Sequence, residues 1–305
     1  MKLETIAKRF RVDQPKAFEL SLHDPAGPDD LSLDKGKAEK LLDEAAKKLG
    51  RLQQKLYAQD RWSVLIVLQG MDAAGKDGII THVMSDINPQ GCDVHAFKQP
   101  SPEELAHDFL WRAARRLPER GRIGIFNRSY YEDVVVVRVH PEFLDKQKLP
   151  AAVAGKDIWA QRFDDICGFE RHLARSGTLV LKFFLNVSRE EQRQRLLDRL
   201  DEPGKRWKFS MGDIAERALW PKYMAAYDSA IRTTSTKEAP WFVVPADRKW
   251  LARLVVASAL VEAMERLGLD YPVIEGDALK EMAKVREALE AEARDGSKQA
   301  TTGEK

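Results

Sequence analysis

A glycine-rich segment that ends in a lysine carries the clearest chemistry in this sequence. Residues 70–76 read GMDAAGK and match the start of the phosphate-binding pattern GxxxxGK[ST]. In such a loop the glycines let backbone N–H groups turn toward phosphate oxygens, and the lysine reaches a bridging or terminal phosphate. A glycine-rich turn without a ligand, which is the alternative, would not need Lys76. The segment from Gly70 to Gly78 therefore predicts phosphate binding, and phosphoryl transfer as the function.

Two aspartates make this loop unusual. Asp77 occupies the position at which the usual motif has a Ser or Thr whose hydroxyl ligates Mg²⁺. Asp72, inside the loop, offers a carboxylate that could ligate the metal or orient the attacking phosphate. Asp77 could instead cap the helix that follows. The loop thus predicts a magnesium site that does not use the ordinary hydroxyl ligand.

A second polar cluster, NRSYYED at residues 127–133, directly follows an apolar run at 122–126. Phosphate-loop proteins place their second acidic site after such a strand. Glu132 and Asp133 could hold Mg²⁺, and Arg128 could clamp phosphoryl oxygens because a guanidinium gives paired hydrogen bonds to phosphate. A solvated acidic turn is the alternative interpretation.

Basic residues are concentrated between positions 189 and 217. They are Arg189, Arg193, Arg195, Arg199, Lys205, Arg206, Lys208 and Arg217. A run of this kind is often only the solvated face of a helix. Its place after a predicted core strand is that of the mobile lid of phosphate-loop kinases, which delivers arginines to the transferred phosphate. We therefore predict a lid over about 189–217.

These motifs define one predicted site. The expected catalytic residues are Asp72, Lys76, Arg128 and Asp133, and the expected metal ligands are Asp72, Glu132 and Asp133. Contacts with phosphate or nucleotide are expected from Gly70, Met71, Ala73, Ala74, Gly75, Asp77, Gly78, Asn127 and Glu132. We expect an in-line, loose transition state stabilised by Lys76, Arg128 and a lid arginine. An acceptor phosphate is already ionised near neutral pH, so no strong general base is needed.

The elements that must hold this site alternate between strands and helices. Apolar runs predict strands at 63–68, 122–126, 178–187 and 241–244, and residues 92–97 could form a further strand. Apolar periodicity and capping signals predict helices at 34–58, 77–85, 102–116, 156–175, 188–200 and 213–229. This alternation predicts an α/β fold with a parallel sheet and helices on both faces.

Length and composition predict one main domain with two appendages. The chain has 305 residues, and we expect an irregular N-terminal arm rich in Asp and Pro at 1–33, a domain at 34–290 and a disordered tail at 291–305. A net charge of +2 argues against nucleic acid as a partner. No apolar run reaches the roughly 18 residues of a membrane helix. Cys92 and Cys167 show no metal spacing, so a soluble cytoplasmic protein is expected.

Four blocks together resemble the polyphosphate kinase 2 family over about residues 35–270. The blocks read GMDAAGKDG, FNRSYYEDVVVVRVH, LKFFLNVSREEQRQRLLDRLDEPGKRWKFSMGD and APWFVVPADRKW. The resemblance implies a three-layer fold similar to thymidylate kinase with a helical lid. It also implies reversible, Mg²⁺-dependent phosphoryl transfer between inorganic polyphosphate and AMP, ADP or ATP, and a homo-oligomer, dimer or tetramer.

The resemblance also assigns individual residues. It places Asp72, Gly75 and Lys76 at the reacting phosphates and Arg128 on phosphate. Arg193, Arg195, Arg199, Lys205, Arg206 and Lys208 would lie on or near the lid and the polyphosphate channel. Many members have Asp where this chain has Asn127, and Asn-Arg where it has Glu132 and Asp133. The NRSYYED form resembles the class III subgroup, which phosphorylates both AMP and ADP.

Two other functions fit the phosphate loop. An ATP-dependent nucleotide kinase of the thymidylate kinase type would share the loop, sheet and lid, and would differ only in its donor. A P-loop switch or scaffold would bind nucleotide without phosphoryl transfer. It would need a guanine-reading motif such as NKxD, which the sequence lacks.

Overall fold

The computed structural model describes residues 2–31 and 33–302, with side chains up to Glu292. Its centre is a sheet of five parallel strands in the order β2-β3-β1-β4-β5. The strands are β1 (Ser63–Gln69), β2 (Cys92–Ala96), β3 (Ile123–Asn127), β4 (Thr178–Asn186) and β5 (Trp241–Pro245). Every residue of β1 and β5 is buried, as a strand covered on both faces requires. The predicted parallel α/β sheet is confirmed.

The described residues also form thirteen α-helices and several short 3₁₀ turns. The helices are α1 (Leu3–Phe10), α2 (Lys35–Gln59), α3 (Lys76–Val83), α4 (Pro102–Leu105), α5 (Trp111–Ala114), α6 (Glu132–Val139), α7 (Glu142–Asp145), α8 (Ile158–Arg175), α9 (Arg189–Asp201), α10 (Gly212–Ala218), α11 (Trp220–Thr234), α12 (Lys249–Glu265) and α13 (Asp277–Thr302). The helix α12 packs against α1, α2 and α3, whereas α6, α8 and α11 pack on one another. The two groups form the layers on either side of the sheet, as predicted for a three-layer fold.

The register of β1 and β3 sets the geometry of the site. Leu68 lies opposite Asn127, so the two strands end side by side. The backbone N–H of Arg128 also donates to the Leu68 carbonyl at 3.0 Å. Because the carboxyl ends of parallel strands open at one edge, the glycine-rich loop and the NRSYYED turn become neighbours.

Two local predictions differ from the structure. The helix expected at 102–116 is broken into α4 and α5, because the Asp108 carboxylate accepts from the backbone N–H groups of Leu110 and Trp111 and begins a new helix. The N-terminal arm was expected to be irregular, yet it contains α1. That helix buries Ile6 and Phe10 and packs against α12.

The chain divides into two compact units, Met1–Asp270 and Tyr271–Lys305. The predicted domain boundary at 290 therefore lies inside the second unit. Its helix α13 continues to Thr302, where a disordered tail was expected, and residues 303–305 lie outside the described part of the chain. Over residues 2–31 and 33–302, no helix is both long enough and apolar enough to cross a membrane.

Candidate active site

The glycine-rich loop turns sharply between β1 and α3. Gly70 has φ +151°, and a Cβ at this position would lie 2.9 Å from the Leu185 carbonyl oxygen on β4. Gly75 has φ +109°, a conformation that favours glycine. Helix α3 begins at Lys76, so its N-terminus opens toward the loop. This is the strand, loop and helix arrangement that a phosphate site requires.

Lys76 is folded back against its own loop. It is 8% exposed, and its Nζ donates to the carbonyl oxygens of Gly70 at 2.7 Å and Met71 at 3.2 Å. Burial, followed by the nearby Arg128 cation, lowers the pKa of Lys76 to about 8. Two carbonyl oxygens hold the ammonium at the base of the loop, which leaves the third of its N–H groups for a phosphate.

Arg128 joins the loop to the second motif. Its guanidinium donates to the Asp72 carboxylate through one nitrogen and to the Glu132 carboxylate through the other, at 3.2 Å for Glu132. Burial by itself would lower the pKa of Arg128, but the Glu132 and Asp72 carboxylates raise it above its ordinary value. The backbone here is left-handed, with φ +64°. The structure thus brings together three of the four predicted catalytic residues, Asp72, Lys76 and Arg128.

Asp133, the fourth, is not part of this group. It is 4% exposed, and its carboxylate accepts from Gln147 Nε2 at 2.7 Å. Arg162 donates to its backbone carbonyl at 2.9 Å, and burial raises the pKa of the Asp133 carboxyl to about 6. A carboxyl that is enclosed by protein partners is a poor ligand for a metal that keeps water and phosphate oxygens. Asp133 therefore makes contacts separate from those of Asp72, Lys76 and Arg128, and its role as a metal ligand and catalytic residue stays a prediction.

Behind the NRSYYED turn lies a buried polar cluster formed by Tyr130, Tyr131, Glu170, Lys182 and Thr234. Glu170 accepts from the two tyrosine hydroxyls at 2.8 and 2.9 Å and from Lys182 Nζ at 2.5 Å. Lys182 Nζ also donates to the Thr234 carbonyl at 2.7 Å. Burial lowers the pKa of Lys182 and raises the pKa of both tyrosines. The cluster anchors the turn that carries Arg128 and Glu132.

Sequence reasoning missed Glu170 and Lys182. The signal that could have revealed them is Lys182 itself, a single cation within the otherwise apolar strand TLVLKFFLN. A lysine at such a position is 0% exposed and needs an anionic partner.

The predicted lid contacts the loop through Asp77. Lys208 Nζ donates to one oxygen of Asp77 at 2.8 Å, and Asn127 Nδ2 donates to the other at 3.0 Å. The hydrogen bond from Lys208 is the main reason that the pKa of Asp77 is lowered. No capping hydrogen bond from Asp77 occurs at the start of α3, where Gly75 is the N-cap residue. Asp77 therefore links the loop to the lid and to the end of β3.

The other basic residues predicted for the lid separate into two groups. Arg195 is 9% exposed, and its guanidinium donates to the carbonyl oxygens of Ala73, Ala74 and Ala246, so it supports the loop from behind. Arg199 pairs with Asp213 at 2.8 Å on α10 and faces the loop. Arg193 pairs with Glu190 on the exposed face of α9, and Arg206 donates to the Leu200 carbonyl. These last two do not line the cavity at the loop.

A basic cavity of about 500 Å³ lies between the loop, the lid and α12. Its cationic lining residues are Lys76, Lys98, Arg128, Arg195, Arg199, Lys205, Lys208, Lys249 and Arg253. Sequence reasoning missed Lys98, Lys249 and Arg253, because they belong to elements far from both motifs along the chain. All three bring positive charge to a space that opens directly above the loop.

A second cavity, of about 450 Å³, adjoins the first at Arg128. It has apolar walls that include Leu105, Val136 and Phe143, with Glu132 at the end nearest Arg128. Phe97, Lys98 and Arg128 line both cavities. One space therefore suits a polyanion, the other suits a flat apolar group, and the Arg128 guanidinium is common to the two.

The carboxylates at Arg128 fit the requirements of Mg²⁺. Asp72 and Glu132 are 33% and 14% exposed and flank the same guanidinium. Among the side chains that the structure describes, in residues 2–31 and 33–292, no group of three or more His, Cys, Asp or Glu could hold a metal alone. Mg²⁺ commonly uses one or two carboxylates together with substrate phosphates and water, so this pair is a sufficient donor set.

Comparison with known proteins gives consistent matches. The model of the family "Polyphosphate kinase 2 (PPK2)" matches residues 32–270. An ADP-polyphosphate phosphotransferase of Rhodopseudomonas palustris is 48% identical, covering 95% of this chain and 99% of that protein. An AMP/ADP-polyphosphate phosphotransferase of Meiothermus ruber is 47% identical, covering 87% and 95%. The crystal structure of polyphosphate kinase 2 from Arthrobacter aurescens TC1 is 42% identical and superimposes with a TM-score of 0.83, covering 92% of this chain and 96% of that one.

Proposed function

This chain belongs to the polyphosphate kinase 2 family, and we propose that it transfers phosphoryl groups reversibly between inorganic polyphosphate and AMP or ADP. The pairing of a basic cavity with an apolar one at Arg128 is the observation that carries this proposal. Polyphosphate has about one charge per phosphate and needs a line of cations. The nucleotide base needs an apolar slot beside its own phosphate.

The donor and acceptor phosphates meet at Arg128 in this mechanism. The polyphosphate end lies on the glycine-rich loop beside Lys76, and the remaining chain follows Arg199, Lys205 and Lys208. The acceptor phosphate reaches the transferred group from the side of Glu132. Its oxygen attacks in line, and the bond to the leaving phosphate breaks as the new bond forms.

Charge stabilisation supplies the catalysis. Lys76 and Arg128 contribute cations on opposite sides of the transferred group, and Arg199 adds another from the lid. The acceptor oxygen already carries negative charge, so Asp72 positions its partners and removes no proton. Lys208, held by Asp77, keeps the lid over the loop and limits the access of water.

Asp72 and Glu132 would hold a bound Mg²⁺ at this site. When bound, the ion would supply positive charge that neutralises phosphate oxygens. In this proposal Asp133 does not bind the ion, because its carboxylate accepts from Gln147 and its backbone carbonyl accepts from Arg162.

The choice of phosphoryl donor distinguishes the proposed activity from the two alternative functions. The protein is incubated with polyphosphate and AMP or ADP in the absence of ATP, and the nucleotides are separated by ion-exchange chromatography. We expect ADP from AMP and ATP from ADP. Product only with ATP as donor would indicate a nucleotide kinase of the thymidylate kinase type. No transfer with either donor would indicate a nucleotide-binding switch or scaffold.

We further propose that the protein works in the cytoplasm as a homo-oligomer, without membrane or nucleic-acid partners. The two half-buried, unpaired cysteines, Cys92 and Cys167, suit a reducing compartment. Fractionation of cells and sedimentation of the purified protein would test the two statements separately.

A further inference from the structure

Every carbonyl group in the first part of the glycine-rich loop is bound by a side chain. The five carbonyl oxygens from residue 70 to residue 74 each accept one hydrogen bond of this kind. Lys76 provides the first two bonds, Gln192 provides the third, and Arg195 provides the last two. Gln192 belongs to neither sequence motif and lines neither of the two cavities that meet at Arg128. It therefore contacts the loop backbone without facing the proposed substrates.

Gln192 holds the backbone of the residue that carries the loop carboxylate. It lies on α9 and is 1% exposed. Its Nε2 donates to the backbone carbonyl of Asp72 at 2.9 Å. The side chain of Asp72 pairs with Arg128, so this backbone bond fixes the point from which the carboxylate extends toward Arg128.

The loop needs these bonds because its backbone is strained at the next residue. Ala73 has φ +61°, in the left-handed region that residues with a Cβ seldom adopt. Such a conformation persists only where the surrounding structure holds it. Gln192 binds the carbonyl before Ala73, and Arg195 binds the carbonyls of Ala73 and Ala74. Helix α9 thus holds the loop on both sides of its strained residue.

The other end of the Gln192 amide contacts the predicted lid. Arg217, on α10, donates through Nη1 to Gln192 Oε1 at 2.8 Å and to the Arg189 carbonyl at 2.6 Å. A guanidinium only donates and a backbone carbonyl only accepts, so an amide between them can satisfy both. One side chain therefore connects α10 of the lid with the backbone of Asp72.

We propose that Gln192 is a positioning residue for phosphoryl transfer, which holds the backbone of Asp72 and, through Arg217, connects its position with that of the lid. The kinetic part of this inference rests on the proposed phosphotransfer. Gln192 acts through the loop and touches no reacting atom, so its loss should affect the rate of transfer more than the binding of substrates.

Two glutamines on one helix provide the main test. Gln192→Met keeps the approximate volume of the side chain but removes both hydrogen bonds. We expect kcat with polyphosphate and ADP to fall by at least about tenfold, because a small shift of the loop displaces groups that must meet the transferred phosphoryl group. KM for each substrate should change by less than about threefold, since the cations that line the basic cavity remain.

Gln194→Met is the matched control. Gln194 lies on the exposed side of α9 and donates only along its own helix, to Asp198 at 2.9 Å. This variant should keep both constants near their wild-type values. A wild-type kcat in Gln192→Met, or an equal fall in the two methionine variants, would overturn the proposal. A rise in KM at unchanged kcat would also overturn it, because Gln192 would then serve binding.

A double variant tests the connection with the lid. Arg217→Met removes the donor on α10 and leaves Gln192 beside Asp72, so kcat should fall less than in Gln192→Met. Combining the two substitutions should lower kcat no further than Gln192→Met alone, because Arg217 acts through the amide that is already lost. A double variant whose loss equals the product of the single losses would show that the two residues act independently.

Amide hydrogen exchange tests the positioning without any turnover. In the substrate-free, full-length protein, Gln192→Met should speed exchange in residues 70–78, whereas Gln194→Met should not. Exchange in β4 and β5 should stay at the wild-type level in both, which shows that the sheet is folded. Unchanged exchange in residues 70–78, or faster exchange throughout the sheet, would overturn the proposal. A wild-type protein that transfers nothing from polyphosphate would remove the proposed function, and the exchange result would still decide the role of Gln192.

Discussion

In the proposed mechanism, the donor and acceptor sites meet at the side chain of Arg128, which lines both cavities. Its two nitrogen atoms are oriented by different carboxylates, Asp72 and Glu132, one from each sequence motif. A planar guanidinium can donate hydrogen bonds to two groups in fixed, different directions, which a lysine ammonium on a flexible stem cannot do.

Arg128→Lys should therefore lower kcat by roughly 100-fold, because a positioned donor to the transition state is lost while one positive charge remains. KM for each substrate should change much less. Arg193→Lys, on the exposed face of α9, provides the matched control and should leave both constants near their wild-type values. Steady-state kinetics with polyphosphate and ADP measures the difference, and equal losses in both variants would remove Arg128 from its assigned role.

Lys76 gives the reaction an alkaline limit. Its pKa is lowered to about 8, so the ammonium is present below that pH and is lost as pH rises through it. We expect kcat/KM for polyphosphate, which reports the free enzyme, to fall above about pH 8. In Lys76→Arg the side chain does not titrate in this range, so the remaining activity should stay level to about pH 10. The same alkaline fall in both proteins would assign the limit to another group.

At the scale of elements, a polar cluster inside the core determines where the NRSYYED turn sits. Lys182 comes from β4 and Glu170 from α8, and together they hold Tyr130 and Tyr131 at the start of α6. Helix α11 contributes Thr234 to the same cluster. The turn is thus fixed by three elements that follow it in the chain.

Replacing one residue of the Glu170–Lys182 ion pair should lower the free energy of unfolding more than replacing both. Glu170→Gln leaves the Lys182 ammonium buried without an anion and should lower the free energy of unfolding by about 3–5 kcal/mol. Adding Lys182→Met removes the unpaired charge, so the double variant should lose less than the sum of the single variants. Urea denaturation of the single and double variants measures this coupling. Additive losses would show that the two charges do not depend on each other.

At the scale of the whole molecule, one buried carboxyl links stability to pH. The folded protein raises the pKa of Asp133 from 3.8 to about 6, so the fold favours its protonated form. The contribution of the Asp133 carboxyl to the free energy of unfolding is complete below about pH 4 and is lost as pH rises through about 6. The loss amounts to at most about 3 kcal/mol.

Asp133→Asn should remove this part of the pH dependence, because the amide stays neutral. Unfolding free energies from urea titrations at about pH 4.5 and 7 test the expectation. Asp164→Asn, on the exposed side of α8, is the matched control and should keep the wild-type decrease between the two pH values. An undiminished decrease in the Asn variant would locate the titrating group elsewhere.

The sequence by itself determined much of the architecture. The apolar runs predicted four of the five strands to within a few residues, because strands buried on both faces must be apolar throughout. The edge strand β2 is partly polar and only partly buried. The glycine-rich loop and the NRSYYED turn were identified because phosphate binding demands particular residue types at short spacing. Helix ends were harder to predict from the sequence where a side chain caps a new helix, as Asp108 does between α4 and α5.

The tertiary structure decided which of the chemical groups meet. Glu132 and Asp133 are adjacent and similar in the sequence, yet Glu132 contacts Arg128 and Asp133 is enclosed by Gln147. Asp77 was ambiguous until the lid placed Lys208 against it. Such outcomes depend on helix orientation and on contacts between residues far apart in the chain, whereas motif recognition depends only on local covalent order. The spacing of residues therefore predicts a phosphate site, and tertiary packing determines which side chains form it.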